Sequence, residues 1–121
     1  IINEIKAMGV RVSLFMDPDL QQIKLASEVG ADRIELYTGP YAAAWGSSQL
    51  DTIFQQHLEA AKLASSLGLG VNAGHDLNLD NLAKFASIPN LLEVSIGHAF
   101  TVDSLNMGMV SALKAYKACL S

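Results

Sequence analysis

One feature constrains this chain more than any other. Short β-branched runs alternate with longer stretches of helical periodicity. The expected strands are Arg11–Met16, Arg33–Tyr37, Gly70–Ala73 and Leu92–Ile96. Asp17 and Pro18 suit the start of a first helix as N-cap and first helical residue. Its stripe is Leu20, Ile23 and Ala26, and Gly30 ends it. Thr38-Gly39-Pro40-Tyr41 reads as a loop, ahead of a second helix over about Ser48 to Leu67 with a stripe of Leu50, Phe54, Leu58, Ala61 and Ala64. A loop at Gly74–Asn78 leads to a short helix near Asn81–Ala86, which Pro89 closes. Gly97-His98-Ala99-Phe100 then turns into a last helix from about Thr101 to Leu120, with Leu105, Met109, Leu113 and Tyr116 inward. A run of βα units implies an α/β fold with a parallel sheet and right-handed crossovers.

The strands themselves alternate. Val12, Leu14 and Met16 are interleaved with Arg11, Ser13 and Phe15; Ile34 and Leu36 with Arg33 and Glu35; Val71 and Ala73 with Asn72; Leu92, Val94 and Ile96 with Glu93 and Ser95. A doubly wound sheet is covered on both faces and has continuous apolar strands. One apolar and one polar face instead suits a (β/α)₈ TIM barrel whose lumen meets a polar substrate. The competing reading is an open sheet with one wet face. A whole barrel takes about 250 residues, and this chain has 121. Residues 1–121 are therefore expected to form a single half-barrel of four parallel strands alternating with helices. Such a half leaves unpaired edges that invite another chain or a second copy. The opening Ile1-Ile2-Asn3-Glu4-Ile5 reads as the middle of a helix, as though cut from something longer.

Composition narrows the partners. Lys plus Arg number 8 against 12 Asp plus Glu, a formal charge of −4, so a broad nucleic-acid or anionic-membrane surface is not expected. No apolar run reaches the roughly 18 residues of a membrane span. The single cysteine, Cys119, forms no internal disulfide, and the default compartment is the cytoplasm. No spacing of His, Cys and Asp reads as a metal site, and there is no GxGxxG or P-loop.

Barrel chemistry sits at the C-terminal ends of strands. Those positions hold Asp17, Glu35 with Tyr37-Thr38-Gly39-Pro40-Tyr41, Gly74-His75-Asp76 and Gly97-His98, including two of the three histidines. His75 can give or take a proton near neutral pH; the plainer reading is a loop histidine satisfied locally. Glu35 faces the lumen, where a carboxylate needs a partner or water; pairing with Arg33 on the same face is the plainer account. Gly97-His98 before a helix resembles a phosphate cradle, with backbone N–H groups and a helix N-terminus turned to an anion. It reads equally as a simple turn. Asn72 and Ser95 read as polar lining or as substrate contacts. His57 is expected on a solvated helix face, Trp45 over a loop or at an interface, and Met107 and Met109 in packing. Cys119 lacks an activating basic cluster.

Arg33–Tyr41, Gly70–Asn78, Glu93–Ala99 and Ser13–Asp19 together resemble the pyridoxine 5′-phosphate synthase family. The resemblance runs in order over essentially the whole chain and covers the C-terminal half of the family's barrel. It implies condensation of 1-deoxy-D-xylulose 5-phosphate with 3-amino-2-oxopropyl phosphate to pyridoxine 5′-phosphate, phosphate and water, a transferase reaction of vitamin B6 biosynthesis that uses no cofactor. It assigns proton donation to His75 and transition-state stabilisation to Glu35. It assigns phosphate and substrate contacts to Asp76, Gly97 and His98. Some members carry Gly where this chain has Asp76; a backbone N–H contact survives that change, but a carboxylate beside a phosphate does not help.

The family's other catalytic histidine, a catalytic glutamate and further phosphate ligands lie in its N-terminal half, outside these residues. The expected partners are phosphorylated small molecules, inorganic phosphate, the other half-barrel or a second copy, and a homo-oligomer, octameric in the family. The alternative is a non-catalytic, self-associating half-barrel that keeps only the phosphate-binding loop.

Overall fold

The computed structural model describes residues 1–121. The elements run α1 (Ile2–Ala7), β1 (Ser13–Met16), α2 (Leu20–Glu28), β2 (Arg33–Tyr37), α3 (Gly39–Ala43), α4 (Leu50–Ser66), β3 (Gly70–Gly74), α5 (Leu82–Ala86), β4 (Leu91–Ser95), α6 (His98–Met107) and α7 (Met109–Cys119). The sheet is parallel, four-stranded and ordered β1-β2-β3-β4. Strands in simple succession, with no reversal of order, define the singly wound pattern of a barrel wall; doubly wound sheets reverse direction partway.

One core explains why the helices lie on a single side. Ile34, Leu36, Val71 and Ala73 join Ile23 and Ala26 of α2, Ala60, Ala61 and Ala64 of α4, Leu82 and Phe85 of α5, and Tyr116 of α7 in one buried cluster. Each large aliphatic side chain there is worth about 1.5–3 kcal/mol against leaving it in water. The alanines let the backbone of α4 approach the sheet closely. The opposite face carries Ser13, Phe15, Arg33, Glu35, Tyr37, Asn72, Glu93 and Ser95, none of which joins that core. The architecture is that of half a (β/α)₈ barrel.

Several local expectations are corrected. The cap of α2 is Asp19, whose Oδ1 accepts from the Gln21 and Gln22 amides at 2.8 and 3.1 Å, rather than Asp17. Leu20, expected in the α2 stripe, is exposed, while Ile23 and Ala26 are buried. Gly39–Ala43 is a helical turn, not a loop; Pro40 sits in its first turn, where a missing N–H costs nothing. Leu92 is exposed, because a register irregularity pairs Val71 with Leu91 and Asn72 with Glu93. One extra residue shifts the side-chain phase, so Leu91 rather than Leu92 turns to the core side.

The last helix breaks in two at Gly108, whose φ is +85°. The break resets the helical phase. Beyond it Met109 and Leu113 are exposed, while Ala112 and Tyr116 are buried; Leu105 and Met107 are exposed on α6, which buries none of its residues. Phe100 and Tyr116 pack edge to face at 5.7 Å between ring centres. The Tyr116 hydroxyl donates to Asp103 at 2.6 Å; burial, then that carboxylate, pushes the phenol upward.

His57 is the largest departure. It is fully buried, with Nδ1 2.8 Å from the Ile53 carbonyl and Nε2 3.0 Å from the Tyr37 carbonyl. It belongs to an aromatic cluster with Tyr41 and Phe85. Trp45 packs on Tyr41, whose hydroxyl donates to the Asn81 carbonyl at 2.7 Å. Burial pushes the Tyr41 phenol upward. The motif around Tyr41 is thus an anchor that fastens the β2 connection to the helical layer.

Candidate functional site at the C-terminal ends of the strands

Glu35, Asn72 and Glu93 occupy one row across β2, β3 and β4, and Tyr37, Gly74 and Ser95 the row above it. Arg33 does not pair with Glu35. Its guanidinium donates to Asn72 Oδ1 at 3.0 Å and to Glu93 Oε2 at 2.9 Å. That network uses the cation at the lower end of the face and satisfies Asn72, which is nearly buried. Glu35 is half-buried and forms no ion pair or side-chain hydrogen bond. Its carboxylate lies over Gly74: a Cβ there would collide with Glu35 Oε1 and meet Ser95 Cβ at 3.0 Å. The glycine before His75 is therefore the space Glu35 occupies.

His75 follows directly. Tyr37 stands beside it, ring centres 4.9 Å apart in an edge-to-face arrangement, and Phe15 lies 5.6 Å beyond Tyr37. Gly39 leaves room for the Tyr37 ring, which a Cβ would strike. His75 and Asp76 both take positive φ, 93° and 59°, a conformation that costs non-glycine residues on the order of 1–3 kcal/mol each. Neighbours hold it: Thr38 Oγ1 donates to the His75 carbonyl, and Asn81 Nδ2 donates to the Asp76 carbonyl at 3.2 Å. His75 Nδ1 lies 2.9 Å from Asp76 Oδ2, and both side chains are about half exposed.

Gly97 ends the connection from β4 and caps α6. Its carbonyl accepts from the Thr101 amide at 3.0 Å and from the Thr101 hydroxyl at 3.1 Å. A Cβ at Gly97 would meet nothing within 4 Å, so the space above its backbone is open. His98 is the first residue of α6 and faces a shallow groove with Asn78, Asp80 and Asp103. Asp17 lines a different cleft with Gln56 and Glu59.

The face thus brings Glu35, Tyr37 and His75 together and sets Gly97 just beyond Ser95 on the neighbouring strand. No cavity of the chain includes Glu35 or His75, so the group stands on an open surface. Tyr37 was not singled out from the sequence; two aromatic residues on a lumen face, Phe15 and Tyr37, were the available signal. No group of three or more His, Cys, Asp or Glu side chains is placed to hold a metal ion.

Fold and site together define a class: a (β/α)-barrel wall with a glutamate, a tyrosine and a histidine gathered at the C-terminal ends of its strands and an exposed glycine beyond them. Comparison with known proteins narrows this. The model of the family described as "Pyridoxal phosphate biosynthesis protein PdxJ" matches residues 1–121. A pyridoxine 5′-phosphate synthase of Albidiferax ferrireducens is 51% identical over 122 residues, covering all of this chain and 48% of that protein. One from Parabacteroides distasonis is 50% identical over 122 residues, again the whole chain and 51% of the relative. One from Xanthomonas axonopodis pv. citri is 50% identical over 117 residues, 96% of the chain and 46% of the relative. The chain belongs to the PdxJ family, and it spans about half the length of the curated relatives it matches.

Proposed function

We propose that this chain supplies the Glu35–His75 side of a pyridoxine 5′-phosphate synthase, and that it acts when a second half-barrel closes the sheet. The observation that carries the reading is the unpaired Glu35 carboxylate over Gly74, one residue before His75, in a member of this family. The reaction joins 1-deoxy-D-xylulose 5-phosphate to 3-amino-2-oxopropyl phosphate. Imine formation, dehydration and phosphate loss each move protons. A histidine and a carboxylate at fixed positions can carry them. The phosphate kept in the product lies away from the reacting carbons, and binding it orients those carbons, while the other phosphate leaves during ring formation.

Backbone N–H groups of Asp76, Gly97 and His98 are the phosphate contacts in this half. The positive φ at Asp76 and the open surface above Gly97 support that reading, since an anion needs close approach to the main chain. The enzyme needs no metal or organic cofactor, works in the cytoplasm and assembles as a homo-oligomer of closed barrels. No helix of the chain is long and apolar enough to cross a membrane.

Closure has a place to happen. β1 and β4 each have one unpaired edge, and an apolar groove of Val94, Ile96, Phe100, Leu113, Tyr116 and Leu120 runs beside β4. The same edges favour a second reading, in which two copies of this chain associate without catalysis.

The test is to join the chain to the unmatched half of the Albidiferax ferrireducens relative and assay for pyridoxine 5′-phosphate. The expected result is turnover by the completed barrel and none by the 121-residue chain alone. A folded, closed chimera without product, beside an active parent, overturns the proposal. A stable closed dimer of the chain in that case supports the second reading.

A further inference from the structure

We propose that Asp76 is a positioning residue for His75: its carboxylate fixes the imidazole with the proton on Nδ1 and leaves Nε2 as the nitrogen that exchanges a proton with substrate. The kinetic consequence rests on the function proposed above; the structural one does not.

The backbone turns these two side chains together. In helices and strands, side chains of adjacent residues point apart. Here His75 and Asp76 both have positive φ, 93° and 59°, and this turns the two side chains toward each other until Nδ1 and Oδ2 are 2.9 Å apart. Asp76 is a residue type that tolerates the left-handed region better than most. Both carbonyls of the strained pair are tied down, His75 by the Thr38 hydroxyl and Asp76 by the Asn81 amide. The imidazole is held on a second side by the Tyr37 ring.

A carboxylate is an acceptor only, so the contacting Nδ1 carries the proton. Which ring nitrogen is protonated is set by the hydrogen bond the other one makes. Nδ1–H is therefore retained throughout. Nε2 either accepts a proton into its lone pair or, when already protonated, gives that proton up and keeps the pair. The groups around this unit are the Asp76 carboxylate, the Tyr37 phenol and the Glu35 carboxylate over Gly74. Asp76 thus has two separable parts: a main-chain N–H left for an anion, and a side chain turned away to the histidine.

The experiment reads the tautomer directly. Chain labelled with ¹⁵N-histidine is compared with Asp76→Gly and Asp76→Asn by long-range ¹H–¹⁵N correlation, with the His75 signals assigned by their loss in His75→Gln. Neutral His75 is expected as the Nδ1–H form in the parent and in Asp76→Asn, whose amide oxygen still accepts. It is expected to revert to the Nε2–H form in Asp76→Gly, which relieves strain and so folds at least as well. The same variants in the completed barrel should show kcat about three- to tenfold lower for Asp76→Gly, KM nearly unchanged, and Asp76→Asn closer to the parent. A parent in the Nε2–H form, or a tautomer that ignores Asp76→Gly, overturns the inference. A completed barrel without activity overturns the proposed function instead, and the tautomer still decides this one.

Discussion

The two ends of the same polar face are built on opposite plans. At the lower end, charges are matched: Arg33 bonds Asn72 and Glu93, and Arg11 lies 3.9 Å from Glu93. Asp32 accepts from the Val12 amide at 2.8 Å and pairs with Lys6 at 2.9 Å. Glu35 shares the row of Asn72 and Glu93, but its carboxylate reaches up over Gly74 without a partner; at the upper end His75 and Asp76 are strained and Gly97 is open. The contrast separates an end whose charges are matched for stability from an end with strain and an unpaired carboxylate, the end at which barrels place their chemistry.

The largest effect expected is on catalysis at the upper end. In the completed barrel, His75→Asn should lower kcat about 10²–10⁴-fold with little change in substrate binding. Steady-state kinetics checks this; weakened binding at unchanged kcat would reassign His75 to a binding role. Asn accepts positive φ, so the melting temperature should hardly move.

Arg33→Ala should do the reverse. Leaving Asn72 and Glu93 without their cation should cost about 1–3 kcal/mol of stability by urea unfolding, with kcat nearly unchanged. A large loss of turnover with intact stability would break the division between the two ends.

Gly97→Val should be smaller. No protein atom would crowd the new side chain, but φ of −106° with ψ of −82° lies outside the favoured helical and extended regions, which a β-branched residue tolerates poorly. Stability should fall by about 1 kcal/mol, while inhibition by inorganic phosphate should weaken several-fold. Untouched inhibition would remove the glycine from the phosphate site.

The smallest effect concerns acid. The Val12 amide, then Lys6, holds the Asp32 carboxyl below its ordinary value of 3.8. A depressed carboxylate contributes stability that is complete above the unfolded value and lost as pH falls through the folded one. Between pH 7 and pH 3 the parent should therefore lose slightly more stability than Asp32→Asn in matched urea titrations.

Much of this was legible from the residues. Period-two alternation in the strands announced a two-faced sheet, and glycine stops with helical stripes located α2 and α4. What escaped detection depended on phase. The break at Gly108 resets the last helix and the irregularity near Leu92 shifts its strand, which moves Met109, Leu113 and Leu92 outward, and Leu105 lies on α6, which buries none of its residues. His57 was readable in principle: it continues the Leu50, Phe54, Ala61, Ala64 stripe, and only its polarity suggested solvent. The Arg33–Glu93 pair was not readable, since Arg33 had a nearer carboxylate in sequence, Glu35. Its true partner is set by how β4 aligns with β3. Nor could sequence show that the Asp76 carboxylate turns toward His75, because that needs two consecutive positive φ angles.

On the function proposed above, this chain meets phosphate at the upper end of the face. Amide chemical shifts of the completed barrel, followed as inorganic phosphate is added, test it most directly. The largest saturable changes are expected on Asp76, Gly97 and His98, with Arg33 and Glu93 unmoved. Changes centred on Arg33 and Glu93, or none at concentrations that inhibit turnover, would contradict it.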